Sequence, residues 1–400
     1  MDWPIDQLYG LLNYIYQRIG YLFYLVDPRQ CMFEHVYQVP RYVEEMFPVF
    51  IALAIAENGL RLVKGKPIYR FNDTIASVGQ GIFQECVRLK LRSFEVLVYC
   101  MVWDNYRLLS MPWDSLTTWL LCFLGVDLGF YIFHRISHEV NIIWAVHQAH
   151  HSAEDFTMIS ALRQAVLQPF TAWFAYLPMA LFIPPSIFLT HLQLSEIYMI
   201  WIHTEAIGSL GPLEWLLNTP SHHRVHHGRN RPYIDKNYGG TLIIWDRLFG
   251  TFQSEDTVGE PVVYGLVHPV QSYNPFYLQF HHWIRIGQSV FRAENWSNRF
   301  GHLFYGPGWS PGKPRLGLAT DVPLIDHPVE YWSPAIPFWQ NVYTIVHFLL
   351  ILGYYYTVAD GHRQLSQQTI SYCIVVLLVS LTTIGLLLEN SRFGLHLELD

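Results

Sequence analysis

Long apolar runs alternate along this chain with short polar segments in which histidines gather. Residues 8–26 are apolar and aromatic but carry Gln17 and Arg18 in their middle, which predicts an amphipathic helix lying at a membrane interface. Residues 47–63 form a somewhat short spanning candidate, interrupted by Glu57 and Asn58 and followed by Lys64 and Lys66. Residues 82–109 are a less uniform candidate. Arg88, Lys90, Arg92 and Glu95 fall early in it, and its apolar part, 96–103, is too short to cross alone. Residues 116–133 are strongly apolar and run directly into histidines. Residues 166–192 are long enough for a ~30 Å hydrocarbon core at ~1.5 Å per residue. They hold Pro169, Pro178, Pro184 and Pro185, so a broken helical hairpin is an equal expectation. Residues 195–207 continue apolar on either side of His203, whereas 208–333 are rich in Gly, Pro, Asn and charge and predict short helices and loops facing water. Residues 339–356 and 369–388 read as two clean spans joined by the polar turn 360–368.

In lipid, backbone polar groups must be satisfied within the segment. The expected fold is therefore all-α, a polytopic integral membrane protein with roughly five to seven membrane segments. Three regions follow: an N-terminal interfacial region (1–45), a membrane catalytic domain (46–333) and a C-terminal transmembrane hairpin (334–400).

Composition agrees with this reading. Apolar residues make up 51% and charged residues 14%, against about a quarter charged in soluble domains. The net charge of −7 argues against nucleic acid as a partner. The five cysteines are scattered without a CxxC pair, so reduced thiols are expected. The N-terminus lacks a basic leader, and no cleaved signal peptide is expected.

The 20 histidines are the anomaly, because histidine in a membrane protein needs a partner, a metal or water. Three clusters stand out: His134-Arg-Ile-Ser-His138, His147-Gln-Ala-His150-His151 and His223-Arg-Val-His226-His227. Positions i, i+3 and i+4 share a helix face, so each cluster can aim two or three imidazoles at one point. Eight such ligands exceed the needs of one metal, since zinc takes four, and they suit two transition metals with positions left open. Imidazole serves Fe, Zn, Cu and Ni alike, so spacing leaves the metal unnamed. A zinc protease is excluded: HExxH needs Glu after the first His, but Arg135 follows His134, and Glu139 has no His at 142. The bland alternative, ordinary polar histidines, fits His268, His281 and His282, which stand outside the clusters.

Around the clusters, His203 is a candidate additional ligand, with a bond to Glu205 as its competing explanation. His222 adjoins His223 and cannot easily point the same way on a helix, which suggests a role beside the ligands. Asp127, about two turns before His134, is placed to accept the second ring N–H of a ligating histidine and orient it. Glu139, Glu154, Asp155 and Glu205 could do the same, but ion pairs with nearby arginines are the more expected use. Arg135, Arg163, Arg224, Arg229, Arg231 and Lys236 flank the clusters, which points that side to the cytosol. The loop 306–317 lacks a GK[ST] signature and reads as structural.

The HxxxH, HxxHH, HxxHH pattern resembles the fatty acid hydroxylase/sterol desaturase superfamily. So do Asp127 before the first cluster and Trp245-Asp-Arg-Leu-Phe-Gly-Thr-Phe252 after the third. Residues 133–141, 218–230 and 306–317 are similar, more narrowly, to its ether-lipid-cleaving branch, over about residues 40 to 320. That resemblance implies two iron ions held by His134, His138, His147, His150, His151, His223, His226 and His227. It implies O2 as oxidant, tetrahydrobiopterin as electron donor, and an endoplasmic reticulum membrane with the metal site facing the cytosol. The implied reaction cleaves the O-alkyl bond of 1-O-alkylglycerols and lyso-ether lipids to a fatty aldehyde and a glycerol derivative. The family is expected to continue past Leu388 with further apolar segments. The pterin-binding residues and the oligomeric state stay unassigned. The alternatives are a sterol or fatty-acyl hydroxylase or desaturase drawing electrons from a separate cytochrome b5, and a histidine-rich membrane metal transporter. The transporter predicts histidines spread along a transmembrane path rather than gathered at segment ends.

Overall fold

Apolar runs and capping residues set the helices in the computed structural model, which describes residues 5–91, 94–255, 259–391 and 394. In chain order they are α1 (Ile5–Leu22), α2 (Pro28–Cys31), α3 (Tyr42–Val63), α4 (Phe71–Lys90), α5 (Phe94–Tyr106), α6 (Leu116–Glu139), α7 (Asn141–His147) and α8 (Trp173–Tyr176). After these come α9 (Pro185–Trp201), α10 (Pro220–His227), α11 (Ile244–Phe249), α12 (Pro275–Arg292), α13 (Trp296–Phe304), α14 (Phe338–Gly361) and α15 (Gln367–Leu388). Among the described residues the only extended pairings are two isolated bridges, Leu217 with Leu242 and Gly228 with Tyr264. The fold is all-α, and the cysteines are free.

Several helix starts follow local chemistry. Asn274 accepts hydrogen bonds from the Phe276 and Tyr277 amides ahead of Pro275, and Ser366 accepts one from the Thr369 amide. Each satisfies amides that the first turn leaves without a partner.

Four stretches are long and apolar enough to cross a membrane: Val36–Val63, Leu116–Glu139, Phe338–Gly361 and Gln367–Leu388. That is fewer than the five to seven expected. The run 82–109 is divided between α4 and α5, and α4 buries Asn72, Asp73, Ser77 and Gln80 against protein instead of meeting lipid. The proline-rich run 166–192 breaks into α8 and short 3-10 turns before α9 begins at Pro185, because proline removes an amide donor and clashes with the preceding turn.

α6 and α9 form the centre of the molecule. Trp119, Cys122, Val126 and Phe133 of α6 pack with Ile187, Leu194, Ile197 and Tyr198 of α9, joined by Tyr42, Met46 and Phe50 of α3. Burying each large apolar side chain contributes ~1.5–3 kcal/mol. At Gly129 the ring of Tyr176 comes so near that a Cβ would lie 2.7 Å from it, so only glycine permits this approach. A second core joins α4, α12, α14 and α15 through Ile75, Ile82, Leu278, Phe348, Leu377 and Leu381. Phe47, Ile51 and Ile55 of α3 and Leu349 and Leu350 of α14 are exposed, as side chains facing lipid are.

One element differs from the sequence expectation of short, water-facing pieces. α12 runs for 18 residues and exposes Phe276, Tyr277, Ile284 and Phe291 on one side while burying Leu278, Gln279 and Ile286 on the other. Its apolar positions are interleaved with His281, His282 and Arg285, which hides the pattern from a search for continuous runs.

A candidate metal centre of nine histidines

The last two turns of α6 carry His134 and His138, α7 ends on His147, a 3-10 turn carries His150 and His151, and α10 carries His223, His226 and His227. His203 follows the end of α9. All nine are buried. They form two groups: His134, His138, His147, His151 and His226, and then His150, His203, His223 and His227. Within each group the ligand atoms lie within 4.8 Å of one another. The groups abut, with the rings of His151 and His227 stacked at 4.3 Å.

The partition cuts across the sequence clusters. A single helical face would aim each cluster at one point. Instead residues 147–151, passing from α7 into a 3-10 turn, send His147 and His151 to the first group and His150 to the second. On α10, His223 and His227, one turn apart, face the second group, while His226 faces the first.

Backbone oxygens set the tautomers. The Nδ1 atoms of His134, His150, His203 and His226 lie 2.7–3.1 Å from the carbonyl oxygens of Tyr238, Arg163, Met199 and Lys236 respectively. A carbonyl only accepts, so each Nδ1 is protonated, and each neutral imidazole then presents a lone pair at Nε2. His150 and His203 therefore face each other, lone pair to lone pair, with Nε2 atoms 3.3 Å apart. His223 Nε2 lies 3.0 Å from His203 Nε2, and in the first group the Nε2 pairs His134–His147 and His226–His151 are both 3.1 Å apart. The His150–His203 contact, with both tautomers fixed, repels unless a cation lies between the rings. Ligands at right angles, ~2.1 Å from one ion, lie ~3.0 Å apart. The donor set therefore fits bound metal. Protons are a poor substitute, since burial holds His150 down to about 4 and pushes His147, His151, His203, His223, His226 and His227 well below the ordinary histidine range.

Asp127 is not in contact with a histidine. Its carboxylate accepts from the Thr241 amide at 2.7 Å, the Leu242 amide at 3.1 Å and Trp245 Nε1 at 2.8 Å. Asp246, missed as a candidate although it sits in the Trp245–Phe252 motif, accepts from the Tyr238 and Gly239 amides, both at 2.7 Å. Together they hold the loop whose Tyr238 carbonyl receives His134. The loop also needs glycine at 240, where a Cβ would lie 2.9 Å from the Phe130 ring. His222 belongs to neither group. Its ring meets Phe252, and its Nδ1 is buried without a partner. Glu205 pairs with Arg61 rather than His203, Glu154 and Asp155 with Arg70, and Glu139 with Arg135 and Arg315. Among the described residues the one carboxylate paired with a cluster ring is Asp235, 3.5 Å from His138 Nδ1. Sequence reasoning did not single it out.

Comparison with known proteins decides the family. The chain is 47% identical over 370 residues to human alkylglycerol monooxygenase, covering 92% of this chain and 82% of the human protein. The chain belongs to the alkylglycerol monooxygenase family. The relative of the same name from Xenopus tropicalis is 45% identical over 383 residues (96% of this chain, 85% of the relative), and that from Caenorhabditis elegans 34% over 402 (95% and 79%). A family profile described as fatty acid hydroxylase matches residues 119–251, an interval that contains all nine histidines together with Asp127 and Asp246. A second, described as the alkylglycerol monooxygenase C-terminal domain, matches residues 340–399 and so takes in α14 and α15. No solved structure matches the chain.

Proposed function

We propose that this protein is a membrane monooxygenase that cleaves the O-alkyl ether bond of 1-O-alkylglycerols and lyso-ether lipids, releasing a fatty aldehyde and a glycerol derivative. The observation that carries the reading is the convergence of buried, neutral imidazoles, lone pair to lone pair, in a chain of this family. His134, His138, His147, His151 and His226 would hold one iron ion, and His150, His203, His223 and His227 a second. Two iron ions bound there would supply O2 activation and oxidation of the C–H bond next to the ether oxygen, with electrons from tetrahydrobiopterin. Oxygen inserted at that carbon gives a hemiacetal, which collapses to the aldehyde and the alcohol.

The chain's own residues fix geometry and exclude water. Backbone carbonyls hold His134, His150, His203 and His226 in one tautomer, while Asp127 and Asp246 brace the loop behind His134. Phe156 walls the second group, with its ring 5.5 Å from His203 and 5.2 Å from His227. His134 and His138 end a candidate span, which suits a substrate whose alkyl chain lies in lipid and whose reacting carbon lies where chain meets headgroup. The basic residues around the clusters support a cytosol-facing site, which we assign to the endoplasmic reticulum membrane.

The test is turnover of a 1-O-alkylglycerol under O2, with and without tetrahydrobiopterin, by wild-type protein and His150→Ala. Pterin-dependent aldehyde that vanishes in the variant is the expected result. Iron-loaded protein that forms no aldehyde would move the reading to a sterol or acyl hydroxylase.

A further inference from the structure

Close to the second histidine group, a cavity of about 30 Å³ opens at the end of α3, lined by Arg61, Lys64, Lys66, Tyr69 and Glu205. Lys64 and Lys66 follow Val63, the last residue of a candidate span, which puts them at the level of lipid headgroups. Arg61 is held in place: its Nε donates to the Pro67 carbonyl at 3.0 Å, and its guanidinium lies 3.8 Å from the centre of the Tyr69 ring and pairs with Glu205 at 3.2 Å. Glu205 is thereby engaged, while neither Lys64 nor Lys66 has an acidic partner among the described residues. Three cations thus surround one carboxylate.

A second, independent observation points to a ligand. Tyr69 is only 8% exposed and lines the same cavity, and among the described residues none accepts a hydrogen bond from its hydroxyl. A buried hydroxyl is normally satisfied; of the groups lining the cavity only the Glu205 carboxylate could accept from it, and that is engaged with Arg61. An anion would accept from the hydroxyl and the lysines at once.

The cavity is also tied to the centre. Thr204, next to His203, donates to Glu57, which lies one turn before Arg61 on α3, and Glu205 stands two residues beyond His203. Two residues reach ~7 Å at most, so an anion held here sits within a headgroup's length of the second group.

We propose that Arg61, Lys64, Lys66 and Tyr69 form an anion subsite that binds a lipid phosphate at headgroup depth beside the histidine centre. The phosphate belongs either to the ether-lipid substrate itself or to an anionic lipid of the surrounding bilayer. The substrate arm rests on the ether-lipid reading given above; the binding site does not.

The test is equilibrium binding of hexadecyl phosphate and of hexadecanol to the full-length protein in uncharged detergent. It compares wild type, Lys64→Ala/Lys66→Ala and Tyr69→Phe, each with wild-type metal content. The phosphate is expected to bind at least ~10-fold more tightly than the alcohol, ~1.4 kcal/mol, with the difference lost in the double variant and reduced in Tyr69→Phe. Equal affinities in the wild type, or a difference that survives the double variant, would overturn the subsite. Competition in nanodiscs then names the source. Displacement of hexadecyl phosphate by anionic bilayer lipid assigns the subsite to the membrane, and resistance to it assigns the subsite to the substrate. If 1-O-alkylglycerol and its 3-phosphate both yield no aldehyde while phosphate binding persists, the ether-lipid reading fails and the subsite stands.

Discussion

His150 and His203 reach each other from a 3-10 turn and from just beyond α9, and both donate Nδ1 to backbone carbonyls, so their Nε2 lone pairs meet across 3.3 Å. Nothing on either residue can supply a proton between them. The pair is stable only around a cation.

Removing His203 should therefore act as the loss of a ligand. In His203→Ala, bound iron is expected to fall to about half or less of the wild-type value, and aldehyde formation by at least ~100-fold, more than a partner of a ligand costs. Metal analysis beside single-turnover assays checks this. Full iron content in the variant would remove His203 from the ligand set.

Stripping the metal should weaken the fold as a whole. A ligand present at ~1,000 times its Kd stabilises by ~4 kcal/mol, and the stripped centre is left with mutually repelling lone pairs. Thermal unfolding in detergent is expected at a clearly lower Tm after chelation, restored by ferrous iron. An unchanged Tm would count against a metal-organised core.

Asp246 tests the support behind His134. It is fully buried and accepts from two amides and the Thr251 hydroxyl. Asp246→Ala is expected to cost ~3 kcal/mol or more, since bonds to a charged acceptor contribute ~1.5–3 kcal/mol each. The loss should come with lower iron content, because the Tyr238 carbonyl shifts. Unfolding curves and metal analysis on the same preparation would show whether the two effects travel together.

A buried ion pair supports the other group. Arg163, 2% exposed, donates to Asp73 Oδ1 at 2.6 Å, and its carbonyl receives His150 Nδ1. Asp73→Asn strands the guanidinium charge and is expected to destabilise by ~3–5 kcal/mol. Replacing both residues with apolar ones of similar volume should cost less than Asp73→Asn alone, and a denaturant series over the three proteins measures it.

Much of the centre was legible before any fold was known. Imidazole clusters at helical spacing carry a strong signal, and the eight clustered histidines and His203 all lie together. Their division between two groups was not legible, because in each HxxHH cluster the i, i+4 pair and the i+3 histidine face different groups, a choice set by how the elements pack rather than by spacing. Nor were the partners of Nδ1, since a backbone carbonyl has no residue type to mark it. Asp127 drew notice for a good reason but with the wrong neighbour: it grips a loop 114 residues away, a contact that local spacing does not encode. The apolar runs placed α3, α6, α14 and α15, and in 82–109 and 166–192 the charges and prolines that made the runs irregular accompany their division into several pieces.

The interleaving of the clusters has a consequence for loading. Residues 147–151 and α10 each feed both groups, so whatever orders the backbone for one ion has already ordered most of the donors for the other. The entropy of organising the second set is largely spent by the first arrival, and the two binding events are thermodynamically coupled. Uptake should be sigmoidal, and singly loaded molecules scarce at every stage of a titration.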